Sequence, residues 1–264
     1  MTKKQAVCVG YFPALSYKPE SFPYWRLSIL KRLLPLICLL LLPACGSQGT
    51  VPVKSANSDF DPSQLAKGDV DRVVETHQRE IFINLRLLTE KLYRRNPREW
   101  RKGGQSSLET TVARIFEGRH EWKFTELEDK RGTEAVHLAF RAEYRGDRVL
   151  AFIAGLASMI QTAFNDKTEF FVLDDLDAQA LYNAARNVEI AVWKLSNARN
   201  ARGELFLLSN EGTGSAPNLS FEREFGKIIG SLDVLSKIMA DKTNRTVVKI
   251  IQNLATAIFL PVKF

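Results

Sequence analysis

Sixteen consecutive residues, Val149 to Phe164, carry no charged side chain: Val149, Leu150, Phe152, Ile153, Leu156, Met159 and Ile160 are interspersed with Ala151, Ala154, Gly155, Ala157 and Ser158. A helix that is apolar on nearly every side belongs either at the centre of a bundle or in a lipid bilayer. Crossing a bilayer takes about twenty apolar residues. Arg148 and Asp166 close this run earlier, so it predicts a buried core helix, with membrane insertion of 149–164 as the sharper alternative. A helix buried all round needs amphipathic helices to surround it, and the rest of the chain must supply them.

The flanking sequence has that pattern. Val70, Val73, Val74, His77, Ile81, Leu85, Leu88 and Leu92 recur at three- and four-residue steps, with Asp69 as a candidate cap and Pro97 as a stop. A shorter helix is expected from Leu108 to Phe116, ended by Gly118, and another from near Thr133 until Gly146 breaks it. Asp174 or Asp175 is placed to cap a helix whose face is Leu176, Ala180, Ala184, Val188, Ala191, Val192 and Leu195. Two further faces follow, Phe221, Phe225, Ile228, Ile229, Leu232, Leu235 and Ile238, then Val247, Val248, Ile251, Leu254 and Ile258. Strand signals are confined to Glu204–Ser209 and to Trp122–Leu127, which reads equally as loop. The expectation is a mainly α fold: one helical bundle of about five to seven helices over 69–264, with little or no sheet.

The formal charge is +7, but its location matters more than its size. Residues 1–44 hold six basic residues against Glu20 alone. From Cys45 onward 31 basic residues face 29 acidic ones, about +2, and a nucleic-acid partner loses its main support. The cysteines are Cys8, Cys38 and Cys45, so a domain beginning after Cys45 has no disulfide, catalytic thiol or Cys-ligated zinc.

Lys31 and Arg32 precede the apolar run Leu33 to Leu42, followed by Pro43-Ala44-Cys45-Gly46-Ser47. A basic flank, ten mostly apolar residues and a small residue at the junction make a secretory signal, too short for a span. The tetrapeptide Leu42-Pro43-Ala44-Cys45 resembles the lipobox of bacterial lipoproteins. That resemblance, which covers about fifteen residues, implies a diacylglyceryl group on the Cys45 sulfur, cleavage just before it and acylation of the new amino terminus. Several acyl chains anchor stably where a single one does not. Gly46 and Ser47, in place of an Asp after the cysteine, point by analogy to the outer membrane facing the periplasm in a Gram-negative cell. Residues 1–44 are then leader and signal peptide. Their unusual length suggests translation starting nearer Leu27 or Leu30, which would leave 1–26 as a mis-assigned start. Residues 45–68, rich in Gly, Ser, Asn, Asp, Gln and Pro, read as a lipidated tether.

No strong catalytic motif stands in the remainder. The most distinctive segment packs Lys91, Arg94, Arg95, Arg98, Arg101 and Lys102 against Glu99, with Tyr93 and Trp100 interleaved. Such a segment can hold an anionic envelope component or an acidic partner protein, and it equally suits a solvated helix end whose cations meet the negative end of the dipole. His77 lies on the apolar face of the first helix, where a hydrogen-bonded core histidine is the commoner case. His120-Glu121 is an isolated dipeptide, and Glu134, His137 and Arg141 share an exposed helical surface of the ion-paired kind. No His-Glu-x-x-His pair occurs, so neither metal nor cofactor is expected. Asp174, Asp175 and Asp177 crowd together as a glycan hydrolase or a calcium site would require, but helix capping explains the first two without either role and no calcium-loop pattern follows. Gly212-Thr213-Gly214-Ser215 lacks the remainder of any phosphate-loop pattern.

The leading expectation is therefore a lipid-anchored cell-envelope protein, non-catalytic, that binds or scaffolds another envelope component. The alternatives are an envelope hydrolase using dispersed carboxylates, with Glu121, Glu126, Glu128 and the Asp174 group as nominees, and a membrane-perturbing protein that inserts 149–164.

Overall fold

The computed structural model describes residues 67–210 and 219–262. The signal segment, Cys45, the tether up to residue 66 and the Gly212–Ser215 loop lie outside the described residues. Among the described residues seven α-helices follow one another: α1 Asp69–Arg95, α2 Pro97–Lys102, α3 Leu108–Glu117, α4 Gly132–Ala139, α5 Arg148–Ala163, α6 Ala178–Asn197 and α7 Ser220–Thr243. No strand forms among the described residues. The fold is the mainly helical bundle that the patterning requires.

The apolar run becomes α5, and every residue from Val149 to Gln161 is buried. No described helix is long and apolar enough to cross a membrane. Tyr93 of α1 meets Asp147 at the start of α5, while Gln78 of α1 bonds to Lys167 just beyond its end, so α5 runs antiparallel to α1. Lys91 meets Glu224 and Asp71 meets Lys242, which sets α7 antiparallel to α1 as well. Ser236 donates to the Ala178 carbonyl and Asn210 reaches Ser196 and Glu222, so α6 returns in the direction of α1. The four long helices thus alternate in direction. One end of the bundle collects Gly68, the 164–177 connection, the start of α6 and the end of α7. The opposite end collects α2, the 140–147 turn and the start of α7.

Short α4 packs on α5 because Gly155 has no side chain: a Cβ there would lie 2.6 Å from the Val136 nitrogen and 2.7 Å from the Gly132 carbonyl oxygen. Ser158, one turn on, accepts the Gly132 N–H at 2.7 Å. At its start α5 is fixed by two carboxylates. Asp147 Oδ1 accepts from Leu150 N, and Glu99 Oε2 accepts from Arg148 N. Both satisfy donors that a buried helix end would otherwise leave orphaned.

Several expectations shift in detail. The buried line on α1 is Val74, Gln78, Ile81, Leu85, Leu88 and Leu92, leaving Val73 exposed and His77 half-exposed. Gln78 takes the inner position because the Lys167 carbonyl satisfies its amide. The N-cap of α1 is Gly68, whose N–H donates to Asp71 in the first turn, and that of α6 is Asp177, which accepts Gln179 N–H, rather than Asp69 and Asp174 or Asp175. Glu204–Ser209 is not a strand; a single isolated bridge links its Leu205 to Arg199, just beyond α6. Trp122–Leu127 contains a single 3-10 turn, Thr125–Leu127.

The largest departure is the last segment. Val247–Ile258 is irregular, not helical, and lies against α6. Gln179 bonds both N–H and carbonyl of Val248, Tyr182 does the same for Ile250, Asn187 for Leu260, and Asn183 donates to the Pro261 carbonyl. The side chains of one helix face thereby satisfy backbone groups that a helix would have paired internally.

Candidate functional site

A cleft of about 780 Å³ lies beside the first half of α1. Its walls are Glu75, Gln78, Arg79 and Phe82 of α1, Phe116 of α3, the 118–122 loop, Arg131, Gln161 of α5 and the 166–169 connection. Three structural features give it chemical character.

The first is an aromatic wall. Trp122 stacks on Phe82 with ring centroids 5.7 Å apart and receives Phe116 and His120 edge-on. Trp122 has φ +61° and Glu121 φ +48°, left-handed conformations uncommon for side chains of this size. His120 holds the turn: Trp122 N–H donates to Nδ1, which makes the other nitrogen the protonated one, and Nε2–H donates to the Ile115 carbonyl at 2.9 Å. With both nitrogens committed, His120 is a positioning residue and neither a base nor a ligand.

The second is a pair of amides. Gln78 and Gln161 are 4% and 9% exposed, and both direct Nε2 onto the Lys167 carbonyl at 2.7 Å. Of an amide's two polar atoms only the nitrogen can donate to a carbonyl, so the amide orientation is fixed by chemistry. Neither Oε1 has a hydrogen-bond donor among the described residues, and two fixed acceptors are left in side chains that line the cleft.

The third is mixed charge. Glu75 accepts from Lys67 and from Phe170 N–H, at 2.7 and 2.9 Å. Partial burial by itself would raise its pKa, but those bonds with the charges of Lys67 and Arg79 hold it below the ordinary carboxylate value. Arg131 pairs with Asp166, itself at φ +57°.

The basic segment expected from the sequence lies elsewhere, at the far end of α1, and its cations differ in their surroundings. Lys91 is spent on the Ser220 carbonyl and Glu224, tying α1 to α7. Lys102 is spent on Glu99 and on the Gly146 carbonyl. Arg95 is half-buried, whereas Arg94, Arg98 and Arg101 are exposed, Arg101 over the Trp100 ring. Among the carboxylate nominees only Glu121 reaches the cleft. Glu126, Glu128 and Asp174 pair with Arg114, Lys130 and Lys167, and in each the bonds to that base or to backbone hold the pKa below its ordinary value. Glu134, His137 and Arg141 form no ion pair among the described residues. His137 instead meets the Phe259 ring edge-on, and burial next to Lys194 and Arg141 lowers its pKa. No group of three or more potential metal ligands occurs among the described residues.

Sequence reasoning missed the cleft because its residues come from five separated segments. A legible signal did exist: Gln78 in register with Val74, Ile81 and Leu85 on an otherwise apolar line. Comparison of the chain with protein families, with curated proteins and with solved structures gives no match in any of the three.

Proposed function

We propose that the chain is a lipid-anchored protein of the cell envelope that binds a small polar ligand in this cleft without transforming it. Cys45 in its lipobox-like context supports the anchor. The observation that carries the binding role is the pair of glutamines whose amides are fixed by the Lys167 carbonyl and whose Oε1 acceptors, without a donor among the described residues, open onto the cleft beside an aromatic wall. Fixed acceptors facing a concave, partly aromatic surface mark a place where a ligand's donors fit. The ligand class is one with hydroxyl or amine donors and a flat apolar face.

The chemistry of the lining favours binding over hydrolysis. A glycan hydrolase needs one carboxyl group kept protonated near neutrality. In this cleft Glu75 is shifted the other way, and the raised carboxylates, Asp147 and Glu189, are not in its lining. The burial of α5 removes the motive for a membrane-perturbing role.

Native mass spectrometry of the full chain, extracted from its membrane in detergent, tests both halves. An acyl mass lost in Cys45→Ala and a small-molecule adduct lost in the double variant Gln78→Leu, Gln161→Leu are expected. Equal acylation of Cys45→Ala would end the anchor reading; an adduct indifferent to the glutamines would end the cleft reading.

A further inference from the structure

The segment after α7 binds α6 through alternate residues. Gln179 accepts the Val248 N–H at 2.8 Å and donates to its carbonyl at 3.1 Å, and the Tyr182 hydroxyl does the same for Ile250 at 3.2 and 3.3 Å. A residue turns its N–H and carbonyl to one side where the backbone is extended, and residues two apart then face the same way. Side chains of α6 thus stand in for a neighbouring strand. The backbone groups of Val247, Lys249 and Ile251 point away from α6, and none of them has a hydrogen bond among the described residues. Val247 is half-buried, but Lys249 is exposed and Ile251 is 97% exposed. The returning residues 259–262 do not cover this side. They make no backbone bond to 246–251 and lie farther along α6, with Leu260 on Asn187 and Pro261 on Asn183.

Strand edges left in solvent are ordinarily blunted by proline, bulges or charge. This one reads Thr246-Val247-Val248-Lys249-Ile250-Ile251, β-branched at every position except Lys249 and without proline. Such an edge is a template to which an extended chain adds through main-chain hydrogen bonds. The charge beside it has one sign. From Lys242 to Phe264 the sequence contains Lys242, Arg245, Lys249 and Lys263 and no acidic residue. Lys242 faces Asp71, whereas Arg245 and Lys249 are exposed and have no ion pair among the described residues. A second copy added at this edge would bring Arg245 and Lys249 of both chains together with no acid between them, which disfavours self-pairing. A strand with acidic side chains at alternate positions sets one of them opposite Lys249.

We infer that residues 246–251 are a docking edge, to which a partner protein adds an extended acidic segment as a β-strand. Main-chain bonds to Lys249 and Ile251 supply the attachment, and the cations at 245 and 249 select the acidic chain. This contact depends neither on a ligand in the cleft nor on acylation of Cys45.

The test uses the full chain in detergent and, as probe, a short peptide of alternating valine and glutamate with blocked ends. Hydrogen exchange is read at single-residue resolution by electron-transfer fragmentation. At millimolar concentration the peptide is expected to slow exchange several-fold at Lys249 and Ile251, with little change at Val248 and Ile250, whose N–H groups are bonded already. The same peptide methylated on every peptide nitrogen keeps its side chains and loses its donors, and it should give no protection. A valine–lysine peptide should also fail on the parent chain and should protect the double variant Arg245→Glu, Lys249→Glu, in which both changes are at exposed positions. Absence of protection by the valine–glutamate peptide overturns the inference, as does equal protection by the methylated peptide. Equal protection of the parent by the valine–lysine peptide overturns the acidic partner. Protection of Lys249 and Ile251 that rises with the concentration of the chain alone makes a second copy the occupant and overturns it as well.

Discussion

Helix α5 and the 247–258 segment are both rich in apolar residues and both predict a helix, yet one is the most buried of the described helices and the other is irregular and largely exposed. The difference lies in how each backbone is satisfied. Within α5 the amides pair internally and only its ends need help, which Asp147 and Glu99 give. The terminal segment follows Asn244, which leaves α7 in a left-handed conformation with φ +50°, and it then finds ready partners in Gln179, Tyr182, Asn183 and Asn187. Apolar periodicity specifies a helix where a surrounding core can use it. Where a neighbouring helix offers amides at matched spacing, the backbone binds those instead.

The greatest effect should come from forcing α5 away from its closest neighbour. Gly155→Val places a branched side chain where even a Cβ would meet Val136 and Gly132 at under 3 Å. Overpacking of this kind costs about 3 kcal/mol or more. Urea unfolding followed by circular dichroism should show the loss, and an unchanged midpoint would mean that the α4 and α5 backbones are not in contact.

The second prediction separates the two regions by pH. Burial raises the Asp147 carboxyl to about 6, Glu99 pushing the same way, while bonds from Leu150 and Val149 N–H and from Tyr93 pull it back. The unfolded group titrates near 3.8. Between those values the folded chain holds a proton that the unfolded chain has released. This contribution to stability is therefore complete below about pH 4 and is lost as pH rises through 6, an amplitude of about 3 kcal/mol at 1.36 kcal/mol per pKa unit. Asp147→Asn should flatten that slope relative to the parent chain in pH-dependent urea melts. Backbone pairs to the uncharged Gln179 and Asn187 have no such dependence, so hydrogen-exchange protection at Val248 and Leu260 should follow only global stability. A parent-like slope in Asp147→Asn would remove Asp147 as its source.

The helices were readable because burial imposes a period that side chains record directly. Val149–Phe164, the α3 start at Leu108 and the α7 face at Phe221, Phe225, Ile228, Leu232 and Leu235 all stand where their spacing puts them. The terminal segment was not readable, because its conformation depends on Asn183 and Asn187, two buried amides set among the alanines of a different helix. The cleft is similar. Gln78 and Gln161 meet at one carbonyl although 83 positions separate them in the chain, and only the antiparallel pairing of α1 with α5 brings them together. The basic run 91–102 shows the converse: its composition was plain, but Lys91 and Lys102 proved to be internal ties.

A third variant addresses those amides. Asn187 donates to the Leu260 carbonyl at 2.7 Å and accepts its N–H at 2.6 Å, fully buried. Asn187→Ala removes both bonds at a cost of about 2 kcal/mol. Its specific mark is loss of exchange protection at Leu260 with α7 left protected. If α7 exchanged equally fast, the segment would be an integral part of the core and not an added strap.

The smallest expected change is also the sharpest comparison with α5. Ile251→Ser alters a side chain that is 97% exposed, and surface changes of this sort stay within about 0.5 kcal/mol. Phe152→Ala, at the buried counterpart in α5, should cost about 3–5 kcal/mol for the same kind of apolar loss. Unfolding midpoints of the two variants therefore measure how far the fate of an apolar residue departs from its identity. If Ile251→Ser destabilised the isolated chain by a kilocalorie-scale amount, on the order of 1 kcal/mol, its side chain would have an intramolecular partner. A silent substitution leaves Ile251 without an internal contact that contributes to stability, and any role of its side chain then lies outside the bundle.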